Sequence, residues 1–231
     1  MKGRRKITGM PFRPLLLGHR GARAVSSVPE NTFASFDLTF GQGCDGFEFD
    51  LRLSADGCPV VCHDEKVGGN LVSRTSCRRM PSLPRLEEVL RRYGHRGFLD
   101  VELKVTGLET KVLEALRDCP PERDYVISSF HPEVVLELKA RSGDVPVGII
   151  CQRPRHLVEW RRLPVDYVIV HQSLVTRRLV RLVQAAQRKI LVWTVNDRNA
   201  MLRFAQWGVD GIISDKTELL ASLLRGPQQA A

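Results

Sequence analysis

Residues 124–171 read DYVISSFHPEVVLELKARSGDVPVGIICQRPRHLVEWRRLPVDYVIVH. Three short apolar runs stand out: DYVISSF (124–130), VPVGIIC (145–151) and VDYVIVH (165–171). Runs of this length, rich in Val and Ile and bounded by Pro, Gly and Asp, read as buried strands. Between them lie HPEVVLELKARSG, which reads as a helix closed by Gly143, and RPRHLVEWRRL, which reads as a second helix. Strand, helix, strand, helix, strand in under fifty residues is the mark of a parallel sheet with crossover helices.

The same rhythm extends in both directions. Upstream, PLLLGH (14–19) is a strand, and PENTFASFDLTFGQG is a helix with Asn31 or Thr32 as N-cap. DGFEFDLRLS (45–54) is a strictly alternating strand, followed by a hairpin-like excursion through ADG into CPVVCHD (58–64). SLPRLEEVLRRYG (82–94) is a helix, GFLDVELKV (97–105) a strand and LETKVLEALRDC a helix. Downstream come the helix LVTRRLVRLVQAAQRK, the strand ILVWTVN, the helix DRNAMLRFAQWG, the strand VDGIISD and the helix KTELLASLL. Eight strand–helix units in this length predict an α/β fold of the closed (β/α)₈ TIM-barrel type, in one domain over residues 13–225. An open doubly wound sheet is disfavoured, because no GxGxxG follows the first strand. Residues 1–12 and 226–231 read as a basic, flexible N-terminus and a flexible tail.

Composition narrows the partners. The chain has 231 residues, 43% of them hydrophobic, and 35 Lys+Arg against 26 Asp+Glu give a net charge of +9. A positive balance favours anionic ligands. The pairs Arg78-Arg79, Arg161-Arg162 and Arg177-Arg178 are scattered along the chain and read as solvated surface. With aromatics at 6%, stacking platforms for nucleic acid are scarce, and the expected partner is a small anionic molecule. The six cysteines match no zinc spacing and point to a reducing compartment. No apolar run has the length of a signal or a membrane span, so a cytoplasmic protein without stable membrane insertion is expected. The four cations of MKGRRK read as a solvated tail.

GHRG occurs twice, at 18–21 and at 94–97. The first copy follows a strand, on the face where barrels carry their chemistry; the second precedes a strand, on the opposite face, and reads as a turn. Other groups converge on the first. Glu48 and Asp50 are two apart on a strand and share a side, and Glu102 and Lys104 repeat the device on the next barrel strand, with Asp100 deeper. Carboxylates facing into a barrel need partners. Two readings stand at this point: a hard oxygen site for Mg²⁺ or Ca²⁺, or a salt-bridge network with Arg20, Arg52 and Lys104. His63, beside Asp64, emerges at the end of the excursion strand and with His19 makes an acid/base pair conceivable near neutrality. Trp193 is either core or a ligand wall, and His131, His156 and His171 carry less weight.

The ordered set HRG, PENT, the ExD strand and HD within residues 15–65 resembles the opening of the glycerophosphodiester phosphodiesterase family. FLDVELK, VWTVN and GVDGIISDKT are similar to its third-strand, seventh-strand and closing motifs, so the resemblance covers residues 15–224. It implies a barrel hydrolase that converts glycerophosphodiesters to sn-glycerol 3-phosphate and an alcohol with one divalent metal ion. It implies metal ligation by Glu48, Asp50 and Glu102, acid/base roles for His19 and His63, phosphate contacts from Arg20 and Lys104, and Trp193 as a wall beside the organic part of the substrate. Residues 65–90 are short beside the insertion that many members carry, which implies a small lid and leaves lysolipids open as substrates. A lysophospholipase D-like enzyme and a non-catalytic barrel holding a phosphorylated ligand are the alternatives.

Overall fold

The computed structural model describes residues 13–225, so the expectations for 1–12 and 226–231 lie outside the described residues. β1 (Leu15–His19) leads to α1 (Phe33–Gly41) and β2 (Gly46–Leu53). An excursion follows, with β3 (Pro59–Val61), β4 (Lys66–Val67) and β5 (Asn70–Leu71), before α2 (Leu86–Tyr93). Strands and helices then alternate: β6 (Phe98–Leu103), α3 (Glu109–Asp118), β7 (Tyr125–Ser129), α4 (Pro132–Arg141), β8 (Val147–Cys151) and α5 (His156–Glu159). The series ends with β9 (Tyr167–His171), α6 (Arg177–Ala185), β10 (Lys189–Trp193), α7 (Arg198–Trp207), β11 (Gly211–Ser214) and α8 (Thr217–Leu224).

The parallel strands neighbour one another in the order β1-β11-β10-β9-β8-β7-β6-β2, and β2 pairs back onto β1, which closes an eight-stranded barrel. β3 runs antiparallel to the last residues of β2, as the ADG turn predicts. Alternation along β2 sends Phe47, Phe49 and Leu51 outward. There Phe36 of α1 stacks on Phe47 at 4.0 Å, and Tyr93 of α2 meets both rings edge-on. Leu17, Phe98, Val126, Ile150, Tyr167, Ile169, Leu191 and Ile213 fill the barrel interior. Among the described residues no helix is long and apolar enough to cross a membrane.

Local chemistry sets the helix ends. Thr32, not Asn31, caps α1: its hydroxyl accepts from Ser35 N while Ser35 Oγ accepts from Thr32 N, both at 3.3 Å. The helix expected over RPRHLVEWRRL is shorter, four residues of α5 and a 3₁₀ turn at Trp160–Arg162. No side chain caps its start, and Pro164 holds Leu163 extended, which ends it. α6 begins later than the pattern suggests, because Thr176 caps it by accepting from Leu179 N at 3.1 Å.

The second GHRG copy is a turn. Gly94 caps α2, His95 is exposed, and Arg96 pairs with Asp37 while lying over the Phe40 ring. A Cβ on Gly97 would sit 2.2 Å from the Asp45 carbonyl oxygen. Gly97→Ala is therefore expected to destabilise the protein by about 1–3 kcal/mol in urea unfolding through overpacking, whereas His95→Ala stays within about 0.5 kcal/mol.

Candidate active site

Strand register assembles the site. β1 and β2 pair with His19 beside Glu48, and β2 and β6 pair with Glu48 beside Asp100 and Asp50 beside Glu102. Four carboxylates and an imidazole therefore share one inner patch, and all four carboxylate residues are buried. One oxygen each from Glu48, Asp50 and Glu102 lie within 4.8 Å of one another, a group that can hold a metal ion. Glu48 Oε1 is buried and accepts no hydrogen bond among the described residues, which leaves it free to ligate a cation. All donors are hard oxygens, so the set fits a divalent cation of the Mg²⁺ or Ca²⁺ kind.

Two cations sit against this patch. Arg20 Nε lies 3.2 Å from Asp50 Oδ2 while its NH1 donates to Glu30 Oε1 at 2.8 Å. Lys104 Nζ is 2.7 Å from Glu102 Oε1 and 3.4 Å from Asp50 Oδ1. The salt-bridge network expected as an alternative thus exists in part, and it shares its carboxylates with the cation site. Arg52 departs from that network and donates to the His63 carbonyl oxygen at 2.7 Å. Arg20 sits at φ 54°, a strained conformation that lets its backbone N–H donate to Glu48 Oε2 at 3.0 Å.

Four buried carboxylates face two cations, Arg20 and Lys104, and the excess negative charge bears on the carboxyls. Burial, then the charges of Asp50, Glu102 and Asp100, push Glu48 well above the usual carboxylate range. Burial and the Asp50 charge raise Glu102 to about 7, with Lys104 opposing. Asp100 is likewise raised to about 7 by burial, although Ser128 Oγ donates to it at 2.6 Å. Burial alone would raise Asp50 too, but Lys104, Arg20 and the Asn31 side chain, which donates to Oδ2 at 2.8 Å, hold it below its ordinary value.

Each histidine is fixed through one nitrogen. His19 Nδ1 lies 2.7 Å from Asp215 Oδ1, and its Nε2 faces Glu48 Oε2 at 3.9 Å. Burial raises the Asp215 carboxyl, but the hydrogen bond and charge of His19, with Asn196 and Arg23, bring it down to about 2. An ionised carboxylate can only accept, so His19 Nδ1 carries a proton and Nε2 is the nitrogen turned to the carboxylates. His63 Nδ1 pairs with Asp64 Oδ1 at 2.8 Å. His63 stands outside the lining of the central cavity, though near enough for its charge to help lower Asp50.

His19, Glu48, Asp100, Glu102 and Trp193, with Ile150, Ile169 and Ile213, line a small central cavity. Trp193 is packed edge-on against Phe130 and His171, and its buried indole N–H has no acceptor among the described residues. Sequence reasoning missed Asp215, Asn196 and Asn31. Asn196 Nδ2 donates to Asp215 Oδ2 at 2.6 Å, and its Oδ1 accepts from Ser214 Oγ and from Asp215 N. Asp215 and Asn196 lie inside the motifs GVDGIISDKT and VWTVN, whose positions just past β11 and β10 were the signal available.

A barrel that gathers an acidic group able to hold a cation beside a carboxylate-anchored imidazole at the C-terminal ends of its strands has the layout of a hydrolase site. A sequence model of the glycerophosphoryl diester phosphodiesterase family matches residues 19–96 and 83–219, and the chain belongs to that family. A glycerophosphodiester phosphodiesterase of Caldanaerobacter subterraneus is 29% identical, the match covering 93% of this chain and 99% of that one. One from Bacillus altitudinis is 26% identical over 87% of this chain and 94% of its own. A phosphodiesterase of Oleispira antarctica, solved in complex with the product sn-glycerol-3-phosphate, superposes with a TM-score of 0.82 at 26% identity, covering 93% of this chain and 98% of that one.

The Asp100 environment gives a pH test on protein held in EDTA. A carboxyl raised to about 7 in the folded state stabilises the fold below its unfolded value and loses that contribution as pH rises through about 7. Asp100→Asn keeps an acceptor for Ser128 and has no proton to lose. Its melting temperature should match wild type near pH 4 and exceed it by the equivalent of roughly 1–3 kcal/mol at pH 8.

Proposed function

We propose that the chain hydrolyses glycerophosphodiesters to sn-glycerol 3-phosphate and an alcohol, using one divalent cation and two histidines. The observation that carries this reading is the buried triad of Glu48, Asp50 and Glu102, with oxygens within 4.8 Å of one another, beside an imidazole already fixed by Asp215. Family membership and the product complex of the Oleispira antarctica relative support the substrate class.

A cation on the triad would supply positive charge for the phosphoryl group, as a Lewis acid does. Arg20 and Lys104 lie against the same carboxylates and bring phosphate donors to that place; Arg20 has five N–H groups, of which its two carboxylate partners occupy a part. His19 presents Nε2 to the reacting centre because Nδ1–H is held by Asp215. His63 is held in the same way by Asp64. One imidazole takes the proton of the attacking oxygen, from water or from the neighbouring glycerol hydroxyl; in the second case the alcohol departs to leave a cyclic phosphate, which water then opens to sn-glycerol 3-phosphate. The other gives a proton to the leaving alkoxide. Trp193 and the isoleucines exclude water from the organic part of the substrate and offer an indole N–H to it.

The test is release of glycerol 3-phosphate from glycerophosphocholine and glycerophosphoethanolamine. Activity should vanish in EDTA and return with Mg²⁺ or Ca²⁺. His19→Ala and His63→Ala should each lower kcat by about 10²–10⁴-fold, with His95→Ala as the silent control. Near wild-type turnover in either of the first two variants contradicts the assignment. Turnover of lysophosphatidylcholine with none of the water-soluble diesters would move the substrate to the lysolipid class.

A further inference from the structure

One stretch of the chain, spanning two neighbouring strand–helix units of the barrel, is dense in arginine. Residues 151–188, about one sixth of the chain, hold eight arginines against Glu159 and Asp166. Asp166 is already paired with Lys139 at 2.9 Å. Seven of the eight, Arg188 being the half-buried one, are exposed, and none of the eight is in an ion pair with a carboxylate among the described residues. They occupy α5, α6 and the loops beside them, and the strands before these helices, β8 and β9, are neighbours in the barrel. Arg153 and Arg155 follow the C-terminal end of β8, and Arg177 and Arg178 open α6 just past β9. These four therefore stand at the end of the barrel that carries His19 and the carboxylates.

The same helices carry exposed apolar side chains. Val158 on α5 is 62% exposed and Leu182 on α6 is 39% exposed. The aromatic residues of the segment, Trp160 and Tyr167, are buried, so it offers no stacking platform for single-stranded nucleic acid. Unpaired arginines around exposed aliphatic side chains match a surface that is anionic outside and apolar just beneath. Long arginine stems lie along such a boundary with their charges at the headgroups.

We propose that the α5–α6 face docks the protein on the surface of a bilayer containing anionic lipid, with the mouth of the barrel turned toward the headgroups. Docking of this kind is peripheral and reversible. It keeps the catalytic end where lipid-derived diesters are released, and it does not depend on the hydrolytic reading.

Sedimentation with sucrose-loaded vesicles tests it, using phosphatidylcholine alone or with about 30% phosphatidylglycerol. Partitioning of the full chain to the anionic vesicles should exceed that to neutral ones by about 50-fold or more at low salt, and fall as salt rises. An arginine near an anionic surface is worth roughly fivefold, so the R153Q/R155Q/R177Q/R178Q variant should lose at least about 50-fold in partitioning. R91Q/R117Q/R123Q/R141Q, with as many charges removed elsewhere, should stay within about threefold of wild type. Val158→Glu should lower the binding that survives in salt. Hydrolysis of a water-soluble diester without vesicles is the separate readout and should be unchanged in all three. Equal partitioning to both vesicles, or full binding by the first quadruple variant, overturns the proposal. So does tighter, salt-sensitive binding to an oligonucleotide with none to vesicles.

Discussion

Everything at the catalytic end rests on the pairing register of three strands. β1, β2 and β6 align so that His19, Glu48, Asp100, Asp50 and Glu102 fall on neighbouring positions of one inner surface. A slip of one residue in β2 would turn Glu48 and Asp50 outward and bring Phe47 and Phe49 into the barrel. The outward faces prevent it. Phe36, Phe47, Phe49 and Tyr93 form a buried aromatic cluster between β2 and helices α1 and α2, and that cluster exists in one register only. Hydrophobic packing outside the barrel thus holds in place a concentration of negative charge that would be unfavourable by itself.

The charge is handled locally in two ways. Arg20, Lys104 and Asn31 keep Asp50 ionised, while Glu48, Glu102 and Asp100 rise toward neutrality. A dication held there would replace protons and ligate the Glu48 oxygen that has no hydrogen-bond partner among the described residues. The imidazoles are insulated from the competition by separate carboxylates, Asp215 for His19 and Asp64 for His63. His19 lines the central cavity beside the acidic triad, and His63 stands outside that lining.

The barrel was legible in the sequence because each strand is a short Val/Ile-rich run and each helix has its own period and stop. The carboxylate patch was legible because side chains two apart on a strand share a face, and the two GHRG copies separated because one follows a strand and the other precedes one. What escaped depends on distance. Asp215 meets His19 across 196 positions, and nothing in GIISD marks the aspartate as its partner. Asn31 read as a helix cap, yet its φ of 57° turns its amide to Asp50 while Thr32 takes the cap. The arginine pairs of 161–162 and 177–178 read as solvated surface, and all four side chains are exposed. The helix expected over RPRHLVEWRRL starts only at His156, without a side-chain cap, and tightens into a 3₁₀ turn at Trp160–Arg162.

The central claim is that Glu48, Asp50 and Glu102 form a cation site that is partly protonated until it is filled. Calorimetric titration with Mg²⁺ or Ca²⁺ in buffers of different ionisation enthalpy, at about pH 6 and pH 8, tests it directly. The account predicts one binding event per chain, with proton release at pH 6 that shrinks at pH 8 and disappears together with tight binding in Glu48→Gln. Binding without proton release at pH 6, or binding that survives in Glu48→Gln, would contradict it.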